Sequence, residues 1–344
     1  MFIPPPFHER RPELVAPVRV DPRGTVGPTR GQSRGPRWRT TSHGLVVPSR
    51  VEVTAQQRIV EAAALLREDE AVTGWAALQW LGCPWFDGTL GGLTQRDVTV
   101  VARRHLSRQR GIAVSQEFLH PDEVVVVDGV PVTAAVRSVV FEMRYAARLG
   151  DAVVALDMGC YSDLVSVAEV GTYVAALGPV TGIQQARDAL VEADENSWSP
   201  QETRMRGAWT KRAGLPRPWC NIPVFTADGR HVGTPDLISP ELGVLGLYNG
   251  AVHLSLAGVS ADLDKETAYR DIGLEPVTML ATDWHDLGRF TSRLRSAVDR
   301  ANRGGAGSWT VAAPSWWTPT HAVDLRRALT EVEKARFLRY RRSA

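Results

Sequence analysis

The stretch from Ser199 to Arg303 fixes an order of elements more narrowly than any other part of the chain. Ser199-Pro200-Gln201-Glu202 supplies a serine at an N-cap, a proline at the first helical position and a glutamate at the third, which predicts a helix over 200–213. Gly214-Leu215-Pro216 stops it. Three strands follow at 221–227, 231–238 and 243–250, joined by Asp228-Gly229 and by Ser239-Pro240-Glu241. A helix near 262–272, a strand at 274–281 and a helix over 286–303 complete the set. Helix, three strands, helix, strand, helix is an α/β (α+β) order, with a sheet covered by helices.

Upstream the pattern is mixed. Residues 1–30 carry prolines and glycines at close intervals with no apolar period, and read as an extended arm. Thr29 to Pro48 combines Arg30, Arg34, Arg37 and Arg39 with Leu45-Val46-Val47, which predicts a short basic helix and then a strand. A helical period begins at Thr54, and a second helix over 73–82 takes Thr73 as its N-cap. Strands at 98–102, 111–116 and 123–133 follow, the last with a hairpin turn at Asp128-Gly129. Helices at 134–149, 150–159, 166–176 and 182–193 come next. Beyond Gly304, Trp309, Trp316 and Trp317 occupy a linker-like run and are expected to pack back onto a domain, ahead of a basic amphipathic helix over 321–340. The expected divisions are 1–50, 51–193, 194–303 and 304–344.

Composition narrows the function classes. A chain of 344 residues, 44% hydrophobic and 23% charged with a net charge of +2, is not disordered and fits two or three domains. No apolar run approaches the roughly 18 residues of a membrane span. The opening MFIPPPFHERRPEL places prolines and charges where a secretory signal has an apolar core, so a cytoplasmic location away from membranes is expected. Cys83, Cys160 and Cys220, odd in number and widely spaced, favour neither a disulfide framework nor a zinc site. Charge is uneven: residues 1–50 hold nine arginines against Glu9, Glu13 and Asp21, a local +6. That surplus marks Arg30, Arg34, Arg37, Trp38, Arg39, His43 and Arg50 as a phosphate-contacting surface or, at even odds, as a solvated arm.

The order predicted for 199–303 is that of the restriction-endonuclease-like core, a three-layer fold in which carboxylates and usually a lysine converge at a bend in the central strands. Phosphodiester hydrolysis there needs a hard divalent cation held by oxygen ligands, which polarises the phosphoryl oxygen and activates water. The stretch SPQETRMRGAWTKRAGLPRPWCNIPVFTADGRHVGTPDLISPELGVLGLYNGAVH resembles a family of small endonuclease-like domains related to the very-short-patch-repair nucleases. Members of that family run SPxETxxR, GLPxPxxNxPV, DGxxxGxPDL and GEYDGxxH. RGPRWRTTSHGLVVPSR at 34–50 and VDGVPVTAAVRSVV at 127–140 resemble the N-terminal region of AbiEi-type antitoxins, whose winged helix binds DNA. The likeness spans roughly 29–303, and it implies a winged-helix-like and mixed α/β region followed by the nuclease-like core.

Carried over residue by residue, Glu202 matches the family's helix glutamate and Asp236 the aspartate of PDL, both metal-site residues. Gly246-Leu247-Tyr248-Asn249-Gly250 stands where the family has Gly-Glu-Tyr-Asp-Gly, so both acidic positions are lost. Leu247 has no lone pair to offer, and Asn249 offers a carbonyl oxygen without charge. Residues two apart on a strand share a face, so both substitutions fall on one side of it. His253 keeps the family's histidine, which can orient a water or a phosphate. Compensation would have to come from Glu241, about 16 Å from Asp236 along an extended chain, or from Asp264, Lys265 and Glu266 on the next helix. Plain structural readings stand beside these: Glu202 suits a capping box whether or not a metal binds, and a lone histidine is more often structural than a ligand. A carboxylate at 236 inside an apolar strand is costly unless paired.

Three function classes follow. The first is a non-catalytic protein that binds double-stranded DNA, a repressor or antitoxin-like regulator on an inactivated nuclease fold, with no cofactor and with a cognate toxin as a candidate partner. The second is an active Mg²⁺-dependent endonuclease of phage defence or repair, with Glu202 and Asp236 as metal ligands and Asn249, His253 or Lys265 completing the site. A third, a protein-interaction module, would use the remodelled strand face.

Overall fold

The apolar pairs Leu237-Ile238 and Val244-Leu245 send neighbouring side chains to opposite faces of one sheet, and each face is packed against helices. The computed structural model describes residues 4, 6–250, 256–304 and 307–342, with helices and mixed sheets of an α/β class. It divides into two units, Met1–Ala146 with Glu169–Ala186 and Ala147–Ala168 with Arg187–Ala344. These differ from the divisions expected at 50, 193 and 303, and buried charges supply the reason. The helix Leu149–Tyr161 carries Asp157, which is ion-paired to Arg206 at 2.7 Å and so belongs with the second unit. The tail joins that unit through the buried Arg326, whose guanidinium donates to Asp163 Oδ1 and to the carbonyls of Thr320, Cys160 and Glu195.

In the first unit five strands lie in the order Ile112–Ser115, Val98–Val101, Ala71–Thr73, Val130–Thr133 and Val124–Val127. The last two form the expected hairpin, with Asp128 at φ 43° and Gly129 at φ 78° in the turn. Thr73 does not cap the helix Trp75–Trp80. It stays in its strand with its hydroxyl 2.9 Å from that of Thr133, and Gly74 at φ 63° makes the junction. Glu142 Oε1 accepts the Trp75 N–H at 2.8 Å in place of a cap, and a Cβ on Gly74 would lie 2.5 Å from that oxygen.

Residues 6–30 are packed rather than loose. Leu14 is buried, Gln57 exchanges hydrogen bonds with both backbone groups of Val15, and Arg11 lies over the Trp80 ring while donating to Asp128. The Asp21 carboxylate accepts the backbone N–H of Arg23, Val26 and Thr25, which holds its pKa well below the ordinary range and ties up a loop rich in proline and glycine. The predicted basic helix shrinks to one turn, Arg30–Ser33, with no buried residue. The remainder is a three-stranded sheet of Val18–Arg19, Leu45–Pro48 and Trp38–Ser42. One turn is too short to serve as a recognition helix in a major groove, so the basic helix expected in 1–50 is replaced by this small sheet.

In the second unit the element order from Pro200 onward is the one the sequence predicts, with two breaks. Asn221 sits at φ 49° with Pro223 close behind, so Trp219–Cys220 and Val224–Thr226 fall in different sheets. Thr234-Pro235-Asp236 likewise separates His231–Gly233 from Leu237–Ser239. The four-stranded sheet orders Trp219–Cys220, Leu237–Ser239, Val244–Asn249 and Glu275–Leu280. Its last strand runs parallel to Val244–Asn249 and is reached through the helix Leu256–Asp271, while the other pairs are antiparallel. Met205 and Trp209, with Phe290 and Leu294 of the helix Leu287–Arg303, cover one face; Tyr269 and Ile272 cover the other.

Trp309–Thr310 adds a strand to Val224–Thr226, and Trp317 packs on Phe225 and His231 with ring centroids 5.2 and 4.9 Å away. Trp316 departs from the expectation of burial, at 60% exposed. The helix expected over 321–340 is broken into Val323–Arg327 and Glu331–Phe337, because Thr330 and Glu333 form a capping box that starts a new helix. Among the described residues, no helix is long and apolar enough to cross a membrane.

Candidate functional site

The N-terminal signal at Ser199 acts as read: Pro200 opens the helix Pro200–Gly207 and Ser199 Oγ accepts the Glu202 N–H at 3.2 Å. The Glu202 carboxylate goes elsewhere than a capping box would send it. Its Oε2 accepts the Trp198 N–H at 2.8 Å and Asn221 Nδ2 at 2.6 Å. Asn221 also donates its backbone N–H to the Asp236 carbonyl at 3.0 Å, so one asparagine links the helix glutamate to the chain at Asp236. The Asp236 Oδ2 in turn accepts the Tyr248 N–H at 2.5 Å.

These two carboxylates are held in an environment that discourages charge. Glu202 is 4% exposed, and burial pushes its carboxyl up to about 8; the charge of Asp236 adds to the push, and hydrogen bonds from Asn221, Trp198 and Ser199 oppose it. Asp236 rises to about 6 by desolvation, against the Tyr248 N–H and the positive field of Lys265. The two titrate as a coupled pair, and burial pushes both toward the protonated form.

The sign of the pH dependence follows. Folding raises both carboxyls, so the folded chain binds these protons more tightly than the unfolded chain does. Stability from Glu202 is full below its ordinary value of 4.5 and is lost as pH rises through about 8. Urea unfolding at pH 5.5 and 8.5 is expected to show a difference on the order of 2 kcal/mol from Glu202, removed by Glu202→Gln, which keeps an acceptor oxygen without the charge. An unchanged pH slope in that variant would contradict the assignment.

The other predicted site residues distribute unevenly. Lys265 is exposed on the helix Leu256–Asp271, and its positive charge opposes the upward shift of the Asp236 carboxyl. Leu247 is 9% exposed, packed in an apolar cluster with Val224, Leu245 and Tyr269. Asn249 ends its strand half-buried, in register with Leu280. His253 lies outside the described residues. Of the rescue candidates, Glu241 and Asp264 are exposed, and Glu266 is engaged by Thr278 Oγ1 at 2.6 Å and Arg270 at 2.8 Å.

Tyr269, which the sequence did not single out, is buried beside this site. Its hydroxyl makes no hydrogen bond among the described residues, and burial with the field of Asp236 raises its pKa. A Cβ on Gly233 would lie 2.5 Å from that hydroxyl, so the glycine of the GTPDL stretch is what lets the ring tip approach. Asn221 was legible only as one letter of a longer motif. Asp157 and Arg206, buried and paired 49 residues apart, left no local signal.

Magnesium asks for near-octahedral oxygen ligands carrying enough charge to strip its hydration shell. Here the Glu202 Oε2 already accepts from two N–H donors, burial pushes both carboxyls toward their neutral form, and Leu247 brings an apolar side chain to the strand. Among the described residues, no group of three or more His, Cys, Asp or Glu stands together to hold a metal.

At the N-terminal surface, Arg30, Arg34, Arg37, His43 and Arg50 are exposed, and Arg30, Arg34 and Arg50 make no ion pair among the described residues. Trp38 is half-buried opposite Pro48. Arg39 is withdrawn from the set: its guanidinium makes two hydrogen bonds, 2.7 and 3.0 Å, to the Glu61 carboxylate, which neutralises it. No family model, no curated protein and no solved structure matches the chain.

Proposed function

We propose that the chain is a double-stranded-DNA-binding protein on a restriction-endonuclease-like core whose metal centre has been lost, acting as a repressor or antitoxin-like regulator. The observation that carries this reading is the buried Glu202–Asp236 pair, its carboxylates taken up by N–H donors, with Leu247 and Asn249 on the neighbouring strand in place of acidic residues. The sheet with one parallel strand reached through a crossover helix, helices on both faces, supports the core. The exposed arginines that flank the N-terminal sheet supply a surface for phosphates, in a segment with a local charge of +6.

Fluorescence anisotropy with a labelled duplex tests this. With three phosphate contacts, affinity is expected to fall about 40-fold between 50 and 200 mM salt, and Arg30→Ala with Arg34→Ala and Arg50→Ala to flatten that dependence. Binding absent at 50 mM salt would end the DNA reading. The reach of the Lys265 charge to Asp236 favours one rival, an active Mg²⁺-dependent endonuclease. Plasmid nicking in Mg²⁺ that disappears with Asp236→Ala would replace the first reading with that one.

A further inference from the structure

The five-stranded sheet of the first unit ends on a strand of four valines, Val124–Val127, with Val130–Thr133 on its inner side. The alternation of an antiparallel ladder decides which of its backbone groups look outward. The Ala134 N–H donates to the Glu123 carbonyl at 2.7 Å, and Val127 faces Val130 across the Asp128-Gly129 turn, so residues 123, 125 and 127 turn their groups into the hairpin. Val124 and Val126 turn theirs away from it. Pro131 stands opposite Val126 and has no N–H to offer, which suits a pair that exchanges no hydrogen bond. The Pro121 carbonyl takes the Val124 N–H, while both backbone groups of Val126 make no bond outside the ladder among the described residues. Sheet edges are ordinarily protected. In the second unit the edge strand Glu275–Leu280 carries Pro276, and Arg293 donates to its Thr278 carbonyl at 3.2 Å. Val124–Val127 has no proline, charge or bulge, and Val126 is 71% exposed. Charge stands only at its two ends, with opposite sign. Arg11 already neutralises Asp128 at one end, which leaves the exposed Arg10, 3.8 Å from the same carboxylate, in surplus. At the other end Arg137 and Tyr173 engage Glu123, which leaves the exposed Asp122.

We infer that this edge pairs with the same edge of a second copy of the chain, antiparallel about a two-fold axis at Val126, joining two five-stranded sheets into one. The Val126 N–H of each copy donates to the Val126 carbonyl of the other, and valine lies against valine on both faces of the join. The antiparallel sense brings the Arg10 end of each strand to the Asp122 end of the other, so the charges that a single copy leaves in surplus meet their opposites. The pairing requires neither duplex DNA nor a metal, and stands apart from both.

Sedimentation velocity of the full chain, without DNA or metal, tests it. A mass approaching twice that of the chain is expected at about 50 µM. Val126→Lys, at an exposed position where the fold loses little, sets two ammonium groups against each other across the axis and weakens the dimer by about tenfold or more. Val126→Pro does the same by removing the outward N–H, at no cost in ladder bonds within the copy. Val332→Lys, at a position 79% exposed in the second unit, leaves the dimer unchanged. Asp122→Arg weakens it about fivefold, and Arg10→Asp added to that change restores it. Val126→Cys closes an inter-chain disulfide under mild oxidation, because the Cα atoms of a hydrogen-bonded antiparallel pair stand about 5.5 Å apart. A chain that stays monomeric at that concentration, or a dimer indifferent to both Val126→Lys and Val126→Pro, would overturn the inference even if duplex binding is found.

Discussion

Leu247→Glu combined with Asn249→Asp is expected to bind Mn²⁺ at least about a hundredfold more tightly than the unsubstituted chain. Both positions lie on the strand Val244–Asn249, whose Tyr248 N–H already holds the Asp236 carboxylate at 2.5 Å. Two added carboxylates there raise the local charge enough to draw a dication from its hydration shell. At an effective dielectric near 20, each new charge contributes about 4 kcal/mol of attraction at 4 Å, of which desolvation takes back a large part. Without metal the double variant is expected to be less stable by about 3 kcal/mol, because Leu247 is packed among Val224, Leu245 and Tyr269 and a glutamate there is a buried charge. Mn²⁺ should restore that loss in proportion to its affinity. Thermal unfolding with and without Mn²⁺ and calorimetric titration both read the effect. Equal Mn²⁺ affinity in the two chains would mean that residues 247 and 249 do not border the Asp236 carboxylate.

Arg206→Met is expected to destabilise the second unit by about 3–5 kcal/mol, the loss seen when one partner of a buried ion pair is removed. Asp157 is fully buried; its Oδ2 accepts Arg206 Nη2 and Thr203 Oγ1, each at 2.7 Å, and its Oδ1 accepts the Asp194 N–H at 2.8 Å. Desolvation already pushes the Asp157 carboxyl up, and the Arg206 charge is the main force against it. With methionine at 206 the carboxylate must take a proton or remain buried without a counter-ion. Denaturant unfolding measures the loss. Arg206→Met with Asp157→Asn should cost less than the sum of the two single changes, and strictly additive effects would show that the pair is not coupled.

The parts of the fold that were legible in sequence are those fixed by local chemistry. The Ser199 cap, the Asp128-Gly129 turn and the alternation through Val244–Asn249 depend on residues within a few positions of one another, and each is where the pattern placed it. The misplacements share a different cause. Thr73 lost its capping role to Glu142, Arg39 is occupied by Glu61, and Arg326, which composition places in a basic tail, is enclosed by Cys160, Asp163 and Glu195. Each of those partners is distant in the chain, so no spacing announces it. At the candidate site the same division holds. Glu202 and Asp236 stand out as residue types in a pattern, whereas the wrapping of Glu202 by Trp198 and Asn221 depends on backbone geometry at φ 49°.

Titration of the unsubstituted chain with Mg²⁺ and Mn²⁺ at pH 7.5, followed by calorimetry and by nicking of supercoiled plasmid, tests the loss of the metal centre most directly. No binding tighter than the millimolar range and no nicking are predicted. Stoichiometric micromolar binding that Asp236→Ala abolishes, together with metal-dependent nicking, would contradict it.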